Sequence, residues 1–181
     1  MKKSLIAAVV FATASFGSSA VLAQNIGNTP QALSLTDGSG YFGDVFAADN
    51  GGATFADRFT FTVSGTVGSN LNAIVGSSSD SIDTGLDITG LSVYTAAGNA
   101  VSDGTQWHSG ATDVWTVYSN NLPAGDYYLQ VSGNVVSAQS AAFGGAVTLA
   151  PVPEPETYGL MLGGLGLLGV LARRRRSGRQ A

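Results

Sequence analysis

Between Gln24 and Ala150, short apolar and β-branched runs alternate with Gly, Asn, Asp and Ser, and no helical stripe is visible. Such a pattern is typical of strands separated by turns. Eight strands are predicted, over residues 32–36, 43–46, 55–64, 71–75, 91–95, 114–118, 127–132 and 145–149. Many short strands without helices indicate an all-β antiparallel sandwich or barrel.

Turn residues place the connections between these strands. The segment from Asp37 to Gly40 reads Asp-Gly-Ser-Gly and predicts a hairpin turn. Gly98-Asn99 and Asp103-Gly104 are expected to punctuate a loop. The neutral stretch 76–81 is expected to be a loop as well.

The clearest strand covers residues 55–63. Alternation puts four apolar side chains and Asp57 on one face, and Arg58, Thr60 and Thr62 on the other. The apolar face must be the core face, so Asp57 points inward, and a buried carboxylate needs partners. We expect it to accept backbone N–H bonds from a neighbouring loop. The alternative interpretation is a calcium ligand.

The first 23 residues predict a secretory signal peptide. Two lysines precede an apolar stretch over residues 5–16, and small residues follow. Val21 and Ala23 stand where a signal peptidase reads the chain, so cleavage between Ala23 and Gln24 is expected, with cleavage after Ala20 as the alternative. The apolar run is too short to span a membrane comfortably.

The tail, residues 151–181, has three parts in order. Pro151, Pro153 and Pro155 cannot join a helix interior or a sheet ladder, so this stretch is expected to be extended and open to a processing enzyme. Residues 157–172 form a charge-free segment that predicts a short transmembrane helix. An Arg-rich end over 173–179 is expected to stay in the cytoplasm, held by four arginines: Arg173, Arg174, Arg175 and Arg176.

The tail resembles the PEP-CTERM sorting signal, which joins a Pro-Glu-Pro motif, a short apolar helix and an Arg-rich end. The resemblance implies that Pro153, Glu154 and Pro155 are the motif read by an exosortase, a membrane-embedded transpeptidase-like enzyme of Gram-negative bacteria that make exopolysaccharide. It also implies export by the Sec route, a transient stay in the inner membrane, and delivery to the cell surface or extracellular matrix.

The body between the two ends, residues 24–150, has resemblances of its own. Phe55, Asp57 and Phe59 are similar to the signature of the FxDxF family of PEP-CTERM proteins. Residues 122–133, a Pro-Gly turn followed by an alternating strand, resemble the closing strand of bacterial pre-peptidase C-terminal domains. Both resemblances imply a single jelly-roll-like β-sandwich rather than an activity.

The distribution of charge limits the classes of partner that the body of the protein can bind. Seven of the eight Lys and Arg residues lie at the chain ends, and between residues 24 and 150 Arg58 is set against ten Asp. A phosphate backbone would be repelled by such a body, so a nucleic-acid partner is not expected. Divalent cations and neutral polysaccharide remain compatible. Because the chain has no Cys, packing alone must hold the domain together.

No catalytic residue is proposed. The one His, His108, is not accompanied by a nucleophile elbow around any serine. No Gly-rich segment carries a phosphate-binding lysine. Chance pairs of Asp are common in so acidic a domain, so paired carboxylates of the glycosidase type give only weak support to a hydrolase.

Two ligands remain open. Calcium has oxygen donors in the segments 49–52 and 80–87, although neither has EF-hand spacing and no metal site is assigned. Trp107, in a polar loop, is the candidate for stacking on a sugar ring, whereas Trp115 lies in a strand and is expected in the core.

The sequence therefore predicts a non-catalytic surface or matrix protein. We expect it to be cut by signal peptidase, sorted by exosortase and associated with exopolysaccharide in biofilm. The alternatives are a glycan- or calcium-binding module and, with less support, a secreted hydrolase. No cofactor is expected apart from the open case of calcium.

Overall fold

The structure is a computed structural model that describes residues 24–65, 68–152 and 155–177. The predicted signal peptide and its cleavage residue Ala23 lie outside the described residues, as do Pro153, Glu154 and the end of the Arg-rich tail from residue 178 onward.

Within these ranges, ten strands and one helix form in the order β1 to β10 and α1. The strands are β1 (Gln31–Ala32), β2 (Ser39–Phe46), β3 (Thr54–Val63), β4 (Ser69–Ser78), β5 (Leu86–Thr95), β6 (Ala100–Asp103), β7 (Thr105–His108), β8 (Thr112–Leu122), β9 (Gly125–Val135) and β10 (Ala141–Pro151). The helix is α1 (Pro155–Ser177).

The strands make two five-stranded sheets. Sheet 1 has the order β1-β3-β9-β5-β6, and sheet 2 has the order β2-β10-β4-β8-β7. Every pairing is antiparallel except that of β1 with β3. Most consecutive strands lie in opposite sheets, so their inner faces enclose one common core. The predicted all-β sandwich is confirmed.

The core consists of the inward positions of both sheets, and period-two burial runs through each long strand. On β3 the predicted face is buried: Phe55, Asp57, Phe59, Phe61 and Val63. Tyr127, Leu129 and Val131 are likewise buried on β9. Two glycines make room for aromatic rings, since a Cβ at Gly133 would overlap the ring of Phe55 and one at Gly145 would overlap the ring of Phe42.

Each of the eight predicted strands has a counterpart, but three details were wrong. The first strand is only two residues long, with one further bridge at Thr36. Gly76–Ser78 belong to β4 rather than to a loop. The expected loop around Gly98 to Gly104 contains β6, and β7 follows it directly, so Trp107 lies in an edge strand. These strands are four residues each, too short for a clear alternation.

The expected turn at Asp37-Gly38 is confirmed. Both residues have positive φ, 50° and 74°, and Thr36 and Ser39 close the turn by exchanging backbone hydrogen bonds of 2.8 and 2.9 Å. Positive φ at two successive residues suits Asp followed by Gly.

The helix expected over 157–172 lies within α1. In the described part of the chain, no helix is long and apolar enough to cross a membrane, so the predicted span is not shown. The expectation that the prolines of the tail stay outside strands and helices is wrong at both ends of the stretch. Pro151 ends β10, where it is registered with Ser69, and Pro155 opens the helix. Proline is well tolerated in the first helical turn, where its missing N–H has no intrahelical acceptor.

Candidate functional site

Two copies of the pattern Phe-x-Asp-x-Phe face each other across the core. One is the predicted motif on β3, and the other is Phe42-Gly-Asp44-Val-Phe46 on β2, which sequence reasoning missed. The rings pair crosswise: Phe42 lies 5.0 Å from Phe59, and Phe46 lies 4.7 Å from Phe55, between centroids. The repeated spacing of Phe and Asp was the signal that could have revealed it.

Between these ring pairs, the carboxyl groups of Asp44 and Asp57 meet. Asp57 is only 1% exposed, and its Oδ1 accepts the backbone N–H of Asn28 at 2.6 Å. This is the loop contact that was expected of it, and the prediction is confirmed. The side-chain amide of Asn28 donates to Oδ2 of Asp44, so one residue of the N-terminal segment holds both carboxylates.

Oδ2 of Asp57 is buried and has no hydrogen-bond partner among the described residues. Burial raises the pKa of Asp57 to about 6, and the charge of Asp44 raises it further, while the N–H of Asn28 opposes the shift. The site therefore holds one carboxylate that is poorly satisfied when ionised. Such a group suits a proton held on Asp57, or a cation bound beside it.

The N-terminal segment closes this site. Asn25 bridges to Thr54 in parallel, and the N–H of Ile26 donates to the carbonyl of Thr54 at 2.9 Å. Gly27 passes so close to Asp57 that a Cβ there would lie 3.1 Å from Oδ1. Gln24, the predicted first residue after cleavage, accepts the N–H of Thr54 at 2.9 Å. The segment after the predicted cleavage point is thus part of the sandwich.

A second buried carboxylate, Asp113 on β8, was not anticipated. Its Oδ2 accepts the N–H of Ile88 at 3.2 Å, and burial raises its pKa. Two residues along, Trp115 donates its Nε1–H to the carbonyl of Ile88 at 2.8 Å. The β5–β9 ladder is irregular between Ile88 and Gly90, and next to this irregularity the two side chains bond the N–H and the carbonyl of Ile88. Trp115 is partly buried against the core, as expected.

The other candidates are dispersed. Trp107 is 70% exposed and its Nε1–H donates to the hydroxyl of Thr116 at 2.8 Å. His108 is exposed on the same edge strand. No group of three or more His, Cys, Asp or Glu side chains in the described residues could hold a metal, so neither 49–52 nor 80–87 gathers into such a site.

Comparison with known proteins identifies the tail. Residues 151–176 match the PEP-CTERM protein-sorting motif. This range contains the predicted motif residues Pro153, Glu154 and Pro155 and the four arginines from Arg173 to Arg176. The motif implies an exported protein that is held at the membrane as a sorting intermediate, processed by an exosortase and delivered to the cell surface.

The body has a distant structural neighbour. The pre-peptidase C-terminal domain of a collagenase from Bacillus anthracis superposes with a TM-score of 0.38 at 14% identity, covering 70% of this chain and 97% of that domain. No curated protein matches the chain.

Proposed function

We propose that this protein is a non-catalytic component of the bacterial cell surface or extracellular matrix, sorted through its tail and associated with exopolysaccharide. The observation that carries the proposal is the PEP-CTERM match over residues 151–176, directly after the last strand of the sandwich. In this proposal the tail directs sorting, and the sandwich domain is the part of the protein that is delivered to the surface.

The absence of catalysis is part of the proposal, and the geometry of the acidic groups supports it. Asp57 is only 1% exposed and lies beneath Asn28, whereas acid–base catalysis by a pair of carboxylates requires both groups to reach a substrate. His108 lies on an exposed edge strand. Among the described residues, no Ser or Thr hydroxyl group is hydrogen-bonded to its imidazole, as a nucleophile activated by this residue would be.

Mass spectrometry of the protein from the native cell surface tests the sorting proposal. We expect a carboxyl terminus between residues 153 and 158 in the wild type. A variant with alanine at Pro153, Glu154 and Pro155 is expected to keep the intact tail. A wild-type protein at the surface that still ends at Ala181 would refute processing.

A second candidate function, calcium binding, is favoured by the unsatisfied Oδ2 of Asp57. Two carboxylates and the amide oxygen of Asn25, which lies beside Gly27 as Oδ1 of Asp57 does, are the hard oxygen donors that calcium prefers. The site differs from the segments 49–52 and 80–87 considered from the sequence, and it fits the alternative interpretation of Asp57 as a ligand.

Thermal unfolding with and without millimolar calcium at pH 7.5 tests this candidate. We expect calcium to raise the Tm of the wild type but not of Asp57→Asn, since bound ligand stabilises the folded state. Asp113→Asn is the matched control, because it changes another buried carboxylate and should keep the calcium response. An unmoved wild-type Tm would remove the candidate.

A further inference from the structure

The two outer faces of the sandwich differ in charge. The outer face of sheet 1 carries Arg58, Asp87, Asp103 and Asp126, all of them exposed. The strands of sheet 2 contain only two acidic residues, Asp44 and Asp113, and both belong to the inward-facing positions. Among the described residues, the outer face of sheet 2 therefore has no Asp, Glu, Lys or Arg.

The same uncharged face exposes large apolar side chains. Tyr41 is 87% exposed, Val45 73%, Ile74 47%, Trp107 70% and Tyr118 54%. Registered pairs set Tyr41, Ala146, Ile74 and Thr116 in one row across four strands, and Trp107 adjoins the row through its hydrogen bond to Thr116. Tyr41 and Trp107 thus stand on the two edge strands of the sheet, four strand spacings or about 19 Å apart.

Beside the row that contains Tyr41 and Ile74, the sheet has a row of small residues. In the neighbouring row Gly144 pairs with Gly43 on one side and with Gly76 on the other. A Cβ at Gly144 would meet nothing within 4 Å, and its φ is not positive, so neither packing nor backbone conformation requires glycine there. Glycine inside a strand often marks a place where another molecule approaches the backbone closely.

An extended neutral polymer fits this surface better than a second copy of the chain. Between residues 24 and 150 there are ten Asp and one Arg, so two such bodies repel each other, while an uncharged polymer meets no repulsion. Aromatic faces pack against the C–H faces of sugar rings. The hydroxyl group of Tyr41 supplies a polar contact in the same row, and those of Tyr118 and Thr148 supply polar contacts in the next row.

We propose that the outer face of sheet 2 binds a neutral polysaccharide strand, which lies across the sheet between Tyr41 and Trp107. The inference deepens the association with exopolysaccharide in the proposed function and rests on it for the biological setting. The sequence suggested Trp107 alone as a contact for a sugar ring, whereas the proposed binding surface has one aromatic residue at each end, Tyr41 and Trp107.

Co-sedimentation of the full chain, purified in mild detergent, with insoluble cellulose tests this, and alginate gel serves as the charged comparison. We expect binding to cellulose that is unchanged by added salt. Trp107→Ala and Tyr41→Ala should each weaken binding about two- to tenfold, the range for losing one aromatic contact. Gly144→Val, which fills the row of small residues, should weaken it at least as much.

Gly90→Val is the matched control, because Gly90 lies in β5 of the other sheet and a Cβ there would meet only Ser132, at 4.0 Å. Circular dichroism of each variant confirms that it is folded. No binding to cellulose, or equal binding by Gly144→Val and the wild type, would overturn the proposal. So would a dimer, seen by sedimentation velocity, that Gly144→Val dissociates, since the face would then join two copies.

Failure here and failure of the sorting proposal are separable. Cleavage at residues 153–158 without cellulose binding would leave sorting intact and remove the glycan face. Cellulose binding by a protein whose tail is never cut would leave the glycan-binding face intact and remove the sorting proposal.

Discussion

Asp44 of sheet 2 and Asp57 of sheet 1 meet beneath Asn28, which bonds to both of them; Asp57 is buried, whereas Asp44 is partly exposed. Each aspartate is the centre of a Phe-x-Asp-x-Phe pattern, and the four rings close around the pair. Burial and the nearby charge of Asp44 disfavour ionisation of Asp57, so this carboxyl group makes stability depend on pH.

The sign of this pH dependence follows from the raised pKa of Asp57. The folded protein holds a proton on Asp57 up to about pH 6, whereas the unfolded chain releases it near the ordinary value of 3.8. Stability should therefore fall as pH rises from about 4 through 6. Asp57→Asn removes the titrating group and keeps an acceptor for the N–H of Asn28.

We expect Asp57→Asn to raise the free energy of unfolding at pH 8, by at most about 3 kcal/mol, and to change it little at pH 4. Urea unfolding at both pH values measures this. An equal effect at the two pH values would contradict the assigned pKa direction. The calcium experiment is run separately, since bound calcium would offset the repulsion.

Gly144 and Gly145 are adjacent residues with opposite surroundings, and they make a matched pair. In Gly145→Ala the new methyl overlaps the ring of Phe42, and overpacking of this kind typically costs about 1–3 kcal/mol. In Gly144→Ala the methyl enters open space, and replacing a strand glycine should be neutral or stabilise by about 0.5–1 kcal/mol. Chemical denaturation of both variants checks the order, and equal losses would contradict the stated packing.

The two tryptophans form a second matched pair. Trp115→Phe leaves the carbonyl of Ile88 without its partner at the irregular point of β5, so a loss of about 1–3 kcal/mol is expected. Trp107→Phe affects an exposed edge residue and should change stability by less than about 0.5 kcal/mol. Thermal unfolding of the two proteins compares them. A larger loss for Trp107→Phe would show that the edge strand, not the bulge, limits stability.

The Arg block of the tail gives a prediction about sorting. Replacing Arg173, Arg174, Arg175 and Arg176 by Gln removes the positive charge that opposes translocation. We expect the variant to pass through the membrane with its tail intact and to lose processing. Its mass in the culture medium is the readout, and replacement by Lys, which keeps the charge, is the control. Normal processing of the Gln variant would show that charge is dispensable.

The sequence predicted the strands whose burial alternates over many residues, such as β3 and β9, because period two fixes which side chains face the core. It missed β6 and β7, which have four residues each and little burial. Asp57 was placed correctly, since its neighbours Phe55 and Phe59 define the face. Its partner Asp44 was not, because the meeting of two strands from different sheets depends on topology.

The sorting signal in the tail could be predicted for another reason. It is defined by the linear order of its proline, apolar and arginine segments, which does not depend on tertiary contacts. The arrangement of charge in the acidic body could not be predicted in the same way. The sequence shows ten Asp, but strand order and register determine which of them are buried and which outer face of the sandwich has none.

The path of the chain from β10 into α1 has a mechanical consequence. β10 is an interior strand, paired with β2 on one side and with β4 on the other, and only residues 152–154 separate it from the helix. The N–H of Val152 donates to the carbonyl of Gly68 at 2.9 Å, so the chain is still hydrogen-bonded to the sandwich one residue after β10 ends. A pull on a protein attached through its tail, as in flowing water, therefore reaches a strand held by two hydrogen-bonded ladders, and both ladders share the load.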